Sequence, residues 1–264
     1  MLGWQLFMRA ATLLTDNLGP ALRVSLVPYA LFSLAILFLG DPVANLQLPA
    51  PGDPTAEGSG APEGGGAQAI QGNLLAAMGG VLLYLLVTLW VAVAWHRFAL
   101  LDEEPPGWVP PLQGKRMMDY LLSSIVVTLF ALAAFLLTNT VLATLLVPLV
   151  GTGGGLTAVF AMASFLVGMT VFYRLAAVLP ARAIDRPLSY GDAMRATAGH
   201  TQTMVALALL TAGLSFLLQI PVAVEGSVGL VTTVYELVVG WIGLMLGAGV
   251  LTTLYGHLVE GRPV

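Results

Sequence analysis

Six uninterrupted apolar runs set the limits on what this chain of 264 residues can become. They cover 20–39, 74–95, 120–140, 156–179, 204–221 and 230–255. A bilayer core about 30 Å thick takes about 20 helical residues, and each run is near that length. Continuous runs also argue against a spanning barrel, whose strands alternate apolar and polar residues over about ten positions. In hydrocarbon a segment must satisfy its own backbone groups, and a helix does so internally. The expected fold is therefore all-α: a polytopic integral membrane protein, one domain over 1–264, with six transmembrane helices. Composition agrees, because 9% of the residues are charged where soluble chains carry about a quarter.

Charge placement orients the runs. With the N-terminus in the cytoplasm, Arg9, Arg23, Arg97, Lys115, Arg116, Arg174, Arg182, Arg186, Arg195 and Arg262 all fall in inner loops or at inner helix ends. The outer segments then hold no Lys or Arg, the bias that positions spans joined by short loops. Both termini are expected in the cytoplasm, with the protein in a bacterial-type inner (plasma) membrane and its first helix uncleaved. The stretch WHRFALLDEEPPGWVPPLQGKRMMDY, from Trp95 to Tyr120, contains the first inner loop, 97–119. Pro105, Pro106, Pro110 and Pro111 stop helix there, and Trp95 and Trp108 are expected at interface depth. A second inner loop covers 180–203. The outer loop 41–73, rich in Gly, Pro and small polar residues, cannot bury a core and is expected to be disordered.

A threefold rhythm runs through the chain. Arg9 in FMRAAT, Arg116 in GKRMMDY and Arg195 in AMRATA each precede a pair of spans. Each pair leaves the membrane through an aromatic and a basic side chain: Trp95, His96 and Arg97; Tyr173 and Arg174; Tyr255 and His257. Three hairpin units with inner interfacial helices would give this rhythm, and so would any six-helix protein with basic inner loops. In 1–16 the polar residues Gln5, Arg9, Thr12 and Asp16 recur at spacings of four, three and four. One narrow polar stripe on an otherwise apolar helix describes a helix lying among headgroups. Ser189 with Asp192 forms a capping-box pattern that starts a second such helix near Tyr190.

The loop after the fourth run reads LPARAIDRPLSYGDAMRATAGH. It resembles the membrane domain of glycerophosphoryl diester phosphodiesterases and its stand-alone relatives of unknown function. In that family a Leu-Pro-Ala exit leads through an acidic residue into a helix with an Ala-x-Arg start, matched here by Leu179, Pro180, Ala181, Asp185, Ala193 and Arg195. The resemblance covers the six-span layout and this one loop. The chain departs from the family in having Asp at 185, in its extra residues around 186–190 and in lacking a phosphodiesterase domain, so no hydrolytic activity is implied.

Glu236 is the one acid or base placed well within a run, and such a residue marks a functional site by default because its desolvation is costly. Thr138, Asn139 and Thr140, Gln219 and Glu225 should lie at similar depth, so a polar vestibule would form if their helices were neighbours. A hydrogen-bonded Glu236 joining helices is the alternative. TNT followed by VLATLLVPLVGTGGG, from Thr138, marks either a break with a re-entrant stretch over 141–150 or a continued helix. Gly240, Gly243, Gly247 and Gly249 are expected to let helices approach closely.

Signals for chemistry are poor. Cysteine is absent, which excludes disulfides, a thiolate nucleophile and thiolate metal sites. His96, His200 and His257 lack ligand spacing and read as ordinary loop or interfacial residues. No nucleophile-elbow, nucleotide-loop or zinc-protease motif is present. We expect no catalytic residues, no metal, no cofactor and no nucleic-acid partner. The expected role is that of a non-enzymatic membrane protein that organises lipid or assists a membrane-protein partner. Its inner basic residues Arg97, Lys115, Arg116, Arg182, Arg186 and Arg195 would then face anionic headgroups. The alternative is a small-molecule permease or exporter built around Glu236.

Overall fold

A computed structural model describes residues 1–39, 65–150, 154–225 and 229–263. These residues form nine helices and no strand. They are α1 Leu2–Asp16, α2 Leu18–Leu39, α3 Gly65–Leu101, α4 Gly114–Val150, α5 Gly154–Ala176, α6 Val178–Ala183, α7 Tyr190–Ala196, α8 Thr201–Glu225 and α9 Leu230–Leu258. Six of them, α2, α3, α4, α5, α8 and α9, are long and apolar enough to cross a membrane. The chain is a multi-pass membrane protein.

Helix boundaries differ from the sequence reading in three places. The outer loop is shorter than 41–73, because α3 already begins at Gly65; positions 41–64 lie outside the described residues. Ala and Gln favour helix, and a long apolar helix already nucleated extends at little cost. The inner loop 97–119 narrows to 102–113, and the loop 180–203 contains α6 and α7. No break occurs after TNT, since α4 runs without interruption to Val150 and takes Pro148 into its last turn. At 37 residues each, α3 and α4 are about 55 Å long at about 1.5 Å per residue. They must tilt or project beyond the apolar layer.

All ten Lys and Arg residues lie on segments at one end of the bundle, here termed the basic end. Two short elements fill the space between the spans there. The first is α1, which packs against α8 and α9 more closely than those two pack against each other. Gly3, Leu6, Ala10 and Leu14 form its buried stripe. Close approach explains two of the glycines involved. A Cβ on Gly3 would stand 2.7 Å from the Ala206 Cβ and 3.0 Å from the Thr203 carbonyl, and one on Gly249 would touch Ala10. The polar stripe Gln5, Arg9, Thr12 and Asp16 is exposed on the other side, beside Trp4 and Met8.

The second element is α6, whose residues Val178, Leu179, Pro180, Ala181 and Ala183 are all buried against α3, α4, α5 and α9. Leu179, Pro180 and Ala181 of the family-like stretch are therefore packing residues. Ser189 caps α7, accepting from the Asp192 backbone N–H at 3.0 Å.

Burial collects at the basic end. Among the described residues, α2 buries nothing beyond Tyr29, α4 nothing beyond Val127 and α8 nothing beyond Ala208. Trp95, expected at the interface, is completely buried in this core with Val91 and Met245; Trp108 is exposed. Trp95 reads as interfacial because it precedes a polar loop, but the helix continues two turns past it.

Candidate functional site

The polar residues of the far end do not converge. Asn139 and Thr138 are half-buried on α4, whose main neighbours are α5, α6 and α3. Thr140 on α4, Gln219 on α8 and Glu236 on α9 are exposed. Glu236 makes no hydrogen bond or ion pair among the described residues, and the side chain of Glu225 lies outside them. The condition for a vestibule, that these helices be neighbours, is not met between α4 and the α8–α9 pair.

The basic end carries a connected set of charges. Arg97 on α3 pairs with Glu103 at 2.5 Å, reaches Asp185 at 3.8 Å and donates to the Ala183 carbonyl at 3.3 Å. Arg116 on α4 donates to the same Asp185 at 2.6 Å and to Gln113 at 2.6 Å. Asp185 thus ties the ends of α3, α4 and α6 together, and it does so from a left-handed backbone conformation (φ 57). The Arg116 hydrogen bond holds its carboxyl below the usual carboxylate range. Asp192 is held low as well, by the Ser189 hydroxyl and then by Arg195.

Lys115 pairs with Asp119, Arg186 with Glu260 at 2.6 Å, and Arg195 with Asp192. Of the six basic residues expected to face headgroups, five are therefore engaged with acids of the same chain. Arg182 is half-buried and has no acidic partner among the described residues. Arg9 and Arg23, which the sequence reading left out of that set of six, are exposed without an ion pair among these residues. The signal was available. Lys115 and Arg195 have a carboxylate within one helical turn, whereas Arg9 and Arg23 have none.

His96, read as a loop residue, is completely buried between three spans. Its Nδ1 lies 2.8 Å from the Thr252 hydroxyl and its Nε2 lies 3.3 Å from the Tyr120 hydroxyl. Thr252 gives its own hydrogen to the Ala248 carbonyl at 2.8 Å. Its oxygen therefore accepts from Nδ1–H, which fixes the tautomer and makes Tyr120 the donor to Nε2. Every member of this chain is satisfied, so it joins α3, α4 and α9 without an orphaned group.

Two apolar grooves flank α9. One, about 400 Å³, runs between α2 and α9 and is lined by Leu26, Tyr29, Leu34, Leu237, Val238 and Trp241 among others. Its base is tied by Tyr29 donating to the Leu237 carbonyl at 2.8 Å and Trp241 donating to Ser25 at 2.8 Å. The other, about 370 Å³, lies between α5, α8 and α9 and includes Phe165, Met169, Leu214, Leu218 and Leu246. Gly243 and Gly247 line this second groove and face open space. Of the four α9 glycines expected at close contacts, only Gly240, against the Tyr29 hydroxyl, and Gly249 are at such contacts. Gly168, facing the Ala131 carbonyl and Phe135 where α4 and α5 pack most closely, is another such contact.

No known protein family, curated protein or solved structure matches the chain. The resemblance described above therefore stands on the quoted residues alone.

Proposed function

We propose that the protein is a non-enzymatic membrane protein that organises lipid, with acyl chains lying in the two grooves that flank α9. The observation that carries this reading is that both grooves are lined mainly by apolar side chains on span surfaces. None of Glu236, Asn139 and Gln219 lines them. Apolar gaps between spans are filled by lipid tails at no desolvation cost, whereas a permease needs polar groups along its path. We further propose an inner-membrane location with the basic end in the cytoplasm, supported by the segregation of all ten Lys and Arg residues. The family-like loop is consistent with a stand-alone membrane module and adds no activity.

The test is electron spin resonance of chain-labelled phosphatidylcholine in vesicles that hold the protein. A motionally restricted lipid fraction is expected in the wild type, reduced in Gly243→Leu/Gly247→Leu, which fills the α5–α8–α9 groove. A restricted fraction indifferent to that change, together with solute flux that depends on Glu236, would favour the permease.

A further inference from the structure

A third cavity, about 200 Å³, opens at the basic end between α1, the end of α3 and the end of α9. Its lining divides by chemistry. Leu6, Leu13 and Leu100 supply apolar surface, while Arg9 and Arg262 supply cationic groups and His257 a polar ring, and no acid lines it.

The cations differ in how much charge they have to offer. Arg262 donates to Glu260 at 2.8 Å and to the Leu100 carbonyl at 2.7 Å, which holds it over the end of α3. Glu260 also receives Arg186, so one carboxylate faces two guanidinium groups and positive charge is left over. Arg9 is exposed and has no ion pair among the described residues. His257 Nδ1 lies 2.8 Å from the Arg262 carbonyl. A carbonyl only accepts, so Nδ1 carries the hydrogen and the Nε2 of the neutral ring is an acceptor, which leaves a phosphate to the two arginines.

Depth decides the ligand class. His257 sits in the last turn of a spanning helix, and the neighbouring face of α1 exposes Trp4 and Met8. The cavity therefore lies where hydrocarbon gives way to headgroups, with apolar lining beside a cationic mouth.

We propose that this cavity binds a phosphate group, carried by an anionic phospholipid, with Arg9 and Arg262 as its cationic partners, and Leu6 and Leu13 against the adjoining hydrocarbon. This rests on the lipid-organising reading and specifies a headgroup for it. Guanidinium groups suit phosphate because their planar fork donates to two oxygens at once.

Native mass spectrometry of protein from nanodiscs mixing phosphatidylglycerol and phosphatidylcholine tests this. Arg9→Gln is the informative variant, since the Arg9 side chain makes no hydrogen bond or ion pair among the described residues. Loss of one charge-assisted contact is expected to lower phosphatidylglycerol retention about tenfold. Arg23→Gln, which removes another exposed charge outside the cavity, should leave it unchanged. Equal losses in Arg9→Gln and Arg23→Gln would reduce the effect to diffuse surface charge and overturn the site. Inorganic phosphate that displaces the bound lipid and protects the protein equally without phosphatidylglycerol would assign the cavity to a soluble phosphate and overturn the lipid assignment. An unchanged ratio in Arg9→Gln with a normal restricted-lipid fraction would remove this site alone. A wild type with neither headgroup preference nor restricted lipid would remove the lipid-organising reading with it.

Discussion

The two halves of this bundle use the same six spans and the same residue types, yet one is packed and the other is open. At the basic end the cross-section holds α1 and α6 in addition to the spans, and Leu207, Met204, Leu254 and Trp95 are completely buried. At the far end Phe216, Leu217, Leu230 and Val231 are largely exposed. The inserted helices explain both. Spans held apart by α1 and α6 stay apart beyond them, because a helix is a stiff rod, and among the described residues the far half has no further element between the spans. Packing therefore thins beyond the inserts, where Ala77, Phe160 and Thr232 are still buried.

The sharpest way to break this comparison is truncation in each half. Leu207→Ala and Leu254→Ala should each lower stability by about 2–4 kcal/mol, measured by SDS titration in mixed micelles. Leu217→Ala, at 62% exposure, should stay within about 0.5 kcal/mol of wild type. Equal losses would mean that the far half is closed in the folded protein.

Glycine substitution sharpens the same contrast. Gly3→Ala drives a methyl group into Ala206 and Thr203 and should cost about 1–3 kcal/mol. Gly213→Ala in the far half of α8 meets nothing within 4 Å and should stabilise by about 0.5–1 kcal/mol, the helix preference of Ala over Gly.

The ion network gives a smaller effect with a pH signature. Asp185→Asn should cost at most about 1 kcal/mol, because the carboxylate is half exposed and screened. Its pKa is lowered on folding, so wild type should exceed Asp185→Asn fully above the ordinary value near 3.8. The advantage should vanish as pH falls through the lowered folded value. Melting curves of both proteins against pH would reveal a contrary sign. Smallest of all, Glu236→Gln should move stability by less than about 0.5 kcal/mol. A larger loss would mean that Glu236 has a partner across the far half.

Element existence was legible in the sequence because apolar runs of membrane length have one structural solution. Partner choice was not. The stripe Gly3, Leu6, Ala10 and Leu14 would look the same whether it faced lipid or α8 and α9, since lipid tails are as apolar as leucine. For the same reason Trp95 and His96 passed as interfacial. Local charge pairs such as Lys115–Asp119 could be read from spacing, but the joining of Arg116 to Asp185 across 69 positions could not.

The position of α1 also bears on how the molecule is made. Its partners, around Thr203, Ala206 and Thr253, are synthesised some two hundred residues after it. During translation α1 must wait at the membrane surface with its buried face unpartnered, and the core cannot close until α9 has been inserted. A ribosome stalled before α9 should therefore display α1 open to protease, and its protection would report the moment at which the protein is complete.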